Sequence, residues 1–106
     1  MANFKLIYQI LSLLDTYLDD DEPDFGELTA EHFNVTEKRF TCIVIMLLEA
    51  GYIEGIKPIQ MSGGRYGLKF LNPSITLAGL EYLESNDMMH KAYRLLKGIK
   101  DVVPMA

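Results

Sequence analysis

Two changes of apolar period along 106 residues predict an α+β fold that is mainly α: helical spacing up to Ala50, alternation from Tyr52 to Phe70, then helical spacing again from Leu77. A third observation agrees. Thr29, Thr36 and Thr76 each stand just before an apolar run, where a threonine hydroxyl can accept a hydrogen bond from the first turn of a helix. With 49% apolar and 24% charged residues, the chain carries enough apolar material for one thin core, so residues 1-106 read as a single domain.

The first helix follows from Phe4, Ile7, Leu11, Leu14 and Leu18, which recur at spacings of three and four. A second row, Leu6, Ile10, Leu13 and Tyr17, keeps the same spacing beside it, and only Lys5, Gln9, Ser12 and Thr16 form a narrow polar stripe. A helix this apolar must be covered on more than one side. Asp19-Asp20-Asp21-Glu22-Pro23 then ends it, since acids are unfavourable at the negative end of a helix dipole and the residue before a proline avoids helical geometry. Thr29 caps a short helix that closes at Asn34, a residue suited to the left-handed turn. Thr36 caps a third helix to about Ala50, with Phe40, Ile43, Val44, Leu47 and Leu48 inward and Gly51 as its stop.

Tyr52 to Met61 reads as a strand, weakened at Pro58, and Tyr66-x-Leu68-x-Phe70 reads as its partner across the turn Ser62-Gly63-Gly64-Arg65. Thr76 caps a fourth helix carrying Leu77, Leu80, Tyr82 and Leu83. Asn86 or Asp87 caps a fifth, in which Met88/Met89, Ala92, Leu95/Leu96, Ile99 and Val102/Val103 recur at helical spacing.

Composition excludes several classes. One cysteine, Cys42, allows neither an internal disulfide nor a Cys-clustered zinc site. No apolar run reaches the roughly 18–20 residues of a membrane span, and the N-terminus lacks a signal-peptide pattern, so no membrane association is expected and a reducing, cytoplasmic setting is. The net charge of −5 is unevenly spread. Residues 1–34 hold one basic group against eight acids, a net of −7; residues 35–71 carry +2; the remainder balances. A nucleic-acid surface would therefore have to come from the middle block.

Helix, short helix, helix, hairpin, helix is the element order of a winged helix-turn-helix with a two- to three-stranded wing and an extra C-terminal helix. Read together, four strings carry a closer resemblance: Val35-Thr36-Glu37-x-x-Phe40, Glu49-x-Gly51-Tyr52-Ile53-x-Gly55, Ile75-Thr76-x-x-Gly79-x-x-Tyr82-Leu83-x-x-Asn86 and Lys91-Ala92-Tyr93-x-x-x-Lys97-x-Ile99-Lys100-Asp101. The chain resembles the YjcQ-like family, small winged-helix-type proteins of Gram-positive bacteria and their phages, from about Phe4 to Asp101. The resemblance implies four or five helices and three strands, frequent residence in prophage regions, and a suggested phage structural role. It supplies no catalytic or ligand residue. It also sets the expected location as a bacterial host cell, with the virion as the alternative.

Two binding roles compete. A DNA-reading third helix would present Lys38, Arg39 and Thr41, helped by Lys57, Arg65 and Lys69 on the wing, although Ile45 and Glu49 on the same outward face do not suit base edges. Solvated surface charge accounts for the same residues. A protein-interaction role would use the second row of the first helix, Leu6, Ile10, Leu13 and Tyr17, with Ile45 and Met46 on the third. In that case the partner is another protein or a second copy, a homodimer weakened by Leu13→Asp or Ile45→Asp; alternatively the fifth helix covers the first within one chain.

Enzyme chemistry has little support. Asp20, Glu22, Asp24 and Glu31 match positions 1, 3, 5 and 12 of a calcium loop, but Phe25 sits where the sharp turn needs glycine. His32 and His90 have no metal-ligand spacing, Cys42 has no base beside it in sequence, and Gly63-Gly64 lacks the strand-to-helix context of a phosphate loop. No cofactor and no small-molecule substrate are expected. The sequence leans toward a non-enzymatic, prophage-associated protein acting by protein-protein interaction, with double-stranded DNA binding by a transcriptional regulator as the alternative.

Overall fold

The computed structural model describes residues 3–85: α1 over Asn3–Tyr17, α2 over Ala30–Phe33, α3 over Glu37–Glu49, β1 over Ile53–Gln60, β2 over Tyr66–Ile75 and α4 over Leu77–Ser85. Short 3-10 turns occupy Phe25–Glu27 and Ser62–Gly64. The described fold is α+β and mainly helical, with one two-stranded antiparallel sheet. The third strand that the sequence left open is therefore absent among the described residues, and the fifth helix expected from Asn86 or Asp87 lies outside them.

Local chemistry sets the helix boundaries as the sequence indicates. The hydroxyls of Thr29, Thr36 and Thr76 accept from the backbone N–H of His32, Arg39 and Gly79 at 3.1, 3.1 and 3.2 Å. Asn34 takes the left-handed conformation, φ 60°, that ends α2.

α1 packs against β2, α4 and α3 and is buried over most of its circumference. Leu6, Ile10 and Leu13 are 2%, 0% and 7% exposed, and Leu11 and Leu14 are fully enclosed beside them. The ends of the expected core row stay outside: Phe4 and Leu18 are exposed. Ser12, assigned to the polar stripe, sinks into the core as well. Each enclosed leucine or isoleucine contributes about 1.5–3 kcal/mol relative to an exposed one.

β1 and β2 pair from Gln60↔Tyr66 up to Ile56↔Phe70, then slip, so that Glu54↔Ser74 and Ile53↔Ile75 close the base of the hairpin. β2 is thus longer than Tyr66 to Phe70, because the slip lets it resume pairing after Leu71, Asn72 and Pro73. Gly55, φ +83°, faces that excursion, and a Cβ there would collide with the Asn72 carbonyl. Pro58 is tolerated because both strands of a two-stranded sheet are edges.

The hairpin base is locked to α4 by one residue. The Thr76 N–H donates to the Tyr52 carbonyl at 3.0 Å, and its hydroxyl donates to the Gly51 carbonyl at 2.6 Å while accepting from Gly79. Gly79 lies against the Tyr52 carbonyl and the Ile75 side chain, whose Cγ1 would stand 2.6 Å from an added Cβ. The Tyr82 ring packs on Tyr52 with centroids 5.4 Å apart. The strings around Gly51-Tyr52 and Thr76-x-x-Gly79-x-x-Tyr82 are therefore two halves of one joint.

Gly79→Ala tests the joint. Alanine is the better helix former by about 0.5–1 kcal/mol, but the collision with Tyr52 and Ile75 outweighs it, and a net loss of roughly 1–3 kcal/mol is expected from the urea midpoint. An unchanged or raised midpoint would show that α4 does not approach this closely. Gly55→Ala is expected to lower stability by at least about 2 kcal/mol, since it combines left-handed strain with backbone overlap.

Candidate interaction groove

The outward face of α3 and one face of the hairpin enclose a groove of about 840 Å³. Side chains alternate across a strand, so Tyr66, Leu68 and Phe70 fall on one face of β2, and all three line the groove. Opposite them α3 contributes Lys38, Thr41, Cys42 and Ile45, four positions that recur at helical spacing. Buried Leu28, Ala30 and Phe40 form the floor, which makes the groove continuous with the core. Arg65 at the hairpin turn and Glu37 at the start of α3 supply charge at its rim.

This geometry divides the expected DNA-contact set. Lys38, Thr41 and Arg65 come together on the groove. Lys57 and Lys69 face each other directly across the sheet in the register, on the face turned away from Leu68 and Phe70. Like charges in a direct cross-strand pair repel, so this pair makes the hairpin electropositive at some cost in stability. Arg39 is exposed on α3 outside the groove lining and has interactions of its own.

The expected protein-interface set divides as well. Leu6, Ile10 and Leu13 are core residues, so the surface proposed for them is corrected: the chain covers that row itself. Both rows of α1 are enclosed through the middle of the helix, Leu11 and Leu14 of the first beside Leu6, Ile10 and Leu13 of the second, because β2, α3 and α4 all pack around it. Tyr17 is half-buried, with its ring edge-on to Phe25 at 4.9 Å. Ile45 lines the groove, and Met46 is exposed on α3 just outside its lining. Sequence reasoning missed the hairpin's contribution. Tyr66, Leu68 and Phe70 were legible as one strand face, but which way that face points was not.

Tyr17 has a second feature. Its hydroxyl is buried without a hydrogen-bond partner. Burial raises its pKa above the ordinary tyrosine value, and the carboxylates of Glu27 and Asp24 raise it further. Burial likewise raises that of Tyr82, assisted by Tyr52. A tyrosine whose folded pKa exceeds its unfolded one contributes stability that is complete below about pH 10 and disappears as pH climbs through the folded value. Among the described residues no group of three or more His, Cys, Asp or Glu could hold a metal ion, and no helix is long and apolar enough to cross a membrane.

Two substitutions check this layout. Leu13→Asp is expected to unfold the chain, because a carboxylate would be placed in the core; Ile45→Asp is expected to keep cooperative unfolding with a loss of about 1–2 kcal/mol. Equal effects would contradict the division between core and groove. Tyr17→Phe removes an unsatisfied buried hydroxyl and is expected to leave the thermal midpoint unchanged or raise it, while shrinking the high-pH component of the tyrosinate absorbance titration.

Comparison with known proteins places the chain. Residues 8–102 match the family described as YjcQ protein. The chain is also 38% identical over 74 residues to the "Uncharacterized protein YjcQ" of Bacillus subtilis (strain 168), covering 70% of this chain and 76% of that protein. No solved structure matches significantly. The family match spans the Gly51-Tyr52 and Thr76-to-Tyr82 joint and the whole groove, and the chain belongs to the YjcQ family.

Proposed function

We propose that this protein is a non-enzymatic, winged-helix-like binding module of prophage origin, with an accessory or assembly role, that docks a protein segment in the groove between α3 and the hairpin. The observation that carries this reading is the groove's lining. Ile45 and Cys42 face Leu68, Phe70 and Tyr66, so the centre of a surface that a DNA-reading helix would fill with polar groups is apolar. Base edges and phosphates need donors and acceptors there. A protein segment instead gains from burying an apolar side chain in the centre, with charged groups at the rim.

A second reading has one specific observation in its favour: Lys38, Thr41 and Arg65 share the groove, where a duplex laid along α3 would meet all three. With so few basic contacts, such binding would be weak and would fall steeply with salt, by roughly one unit of logarithmic slope per phosphate contacted.

One pair of measurements separates the readings. Peptides selected from a random display library on the immobilised protein are expected to lose at least tenfold in affinity for Ile45→Asp, and duplex DNA is expected to show no binding at low salt. Duplex affinity that falls with salt and is lost in the Lys38→Ala/Arg39→Ala/Arg65→Ala variant would reverse the conclusion. Selected peptides indifferent to Ile45→Asp would remove the groove as the docking site.

A further inference from the structure

We infer that the groove's partner is a second copy of this chain, which inserts the tip formed by Leu18 and the acids that follow it. The inference rests on the groove being a protein-docking site and names its occupant.

The tip is unusual for the end of a helix. Leu18 is 53% exposed although it continues the apolar row of α1, and Asp19, Asp20, Asp21 and Glu22 follow it directly, all exposed. The segment has defined turns: the N–H groups of Leu18, Asp19 and Asp20 donate to the carbonyls of Asp15, Thr16 and Tyr17 at 3.1–3.3 Å. Asp20 accepts from the Glu22 N–H and Asp24 from the Gly26 N–H, at 3.1 and 3.0 Å. An apolar knob followed by four carboxylates is therefore presented in ordered form.

Electrostatics makes that arrangement unfavourable within one molecule. The acids sit at the negative end of the α1 dipole, and the last turn of α1 contains no basic residue to offset them. The groove offers the complement. Its centre is apolar, where Leu18 would lie against Ile45, Leu68 and Phe70, and two bases, Lys38 and Arg65, against the single acid Glu37 leave the lining net positive toward the carboxylates that follow. Lys57 and Lys69 behind the hairpin add to the positive field. The charge blocks agree in sign, −7 over residues 1–34 and +2 over residues 35–71.

Tip and groove share no residue, so the contact is between different surfaces of the two copies. Each copy keeps one tip and one groove, and association extends to a ring or chain, or closes as a reciprocal pair. Because opposed exposed charges drive it, association weakens when salt shortens the screening length from about 30 Å near 0.01 M to about 3 Å near 1 M.

Sedimentation velocity across a concentration series tests this, using the full chain at low and high salt. The wild type is expected to self-associate at low salt and to weaken at least tenfold at high salt. Lys38→Glu/Arg65→Glu blocks the groove and Asp19→Lys/Asp20→Lys blocks the tip; each is expected to be monomeric alone. All four positions are exposed, so cooperative unfolding should persist and serves as the folding control. Mixed in equal amounts, the two variants restore complementary charge at both kinds of contact, unaltered tip with unaltered groove and reversed tip with reversed groove, and are expected to regain association in species that contain both variants. A wild type that stays monomeric, or a mixture that fails to pair, overturns the proposal. Self-association lost in Ile45→Asp but untouched by the tip variant also overturns it while leaving the groove as the docking site. Duplex DNA bound by a monomeric wild type and lost in the groove variant would make nucleic acid the occupant and end both readings.

Discussion

The hydrogen bonds of Thr76 hold the described structure in its arrangement. This residue joins the end of β2 to the start of α4, and it fastens both to the turn that follows α3, 25 positions earlier in the chain. Three groups act together: the N–H donates to Tyr52, the hydroxyl donates to Gly51, and the same oxygen accepts from Gly79. A threonine at this point is a helix cap and a cross-chain tie at once. The tie requires α4 to approach the Tyr52 carbonyl so closely that position 79 cannot carry a side chain without displacement.

The groove is a consequence of this joint. With its base clamped at Ile53↔Ile75, the hairpin leaves the body in a fixed direction, and the excursion opposite Gly55 sets how the outer part of the ribbon twists. That twist turns Tyr66, Leu68 and Phe70 toward α3 and leaves Lys57 and Lys69 on the opposite face. A hairpin rotated by one residue in register would exchange the two faces, presenting lysines to α3 and apolar side chains to solvent.

The same separation appears in the charges. Acids gather after α1, where one helix dipole already disfavours them, and the described bases stand chiefly on α3 and the hairpin. Among the described residues the last turn of α1 holds no basic side chain, so the acids that follow it and the bases of α3 and the hairpin stand on separate parts of the chain. Evenly mixed surface charge would give the groove and the tip no preference for each other.

Much of the fold was legible in the residues. The three capping threonines, the left-handed Asn34, the turn at Ser62 to Arg65 and the inward face of α3 follow from local chemistry that acts within a few residues. Periodicity also marked α1 as a helix needing cover on several sides, which its burial matches. The sequence by itself marked two apolar rows on α1 at the same spacing but could not say whether the second is covered within the chain or by a partner. Only the packing of β2, α3 and α4 around that helix enclosed Leu6, Ile10 and Leu13 and left Leu18 exposed. Nor could it show that Lys38 and Arg65 share a groove while Lys57 and Lys69 do not. That depends on the rotation of the hairpin relative to α3, which contacts tens of residues apart determine and no local periodicity records.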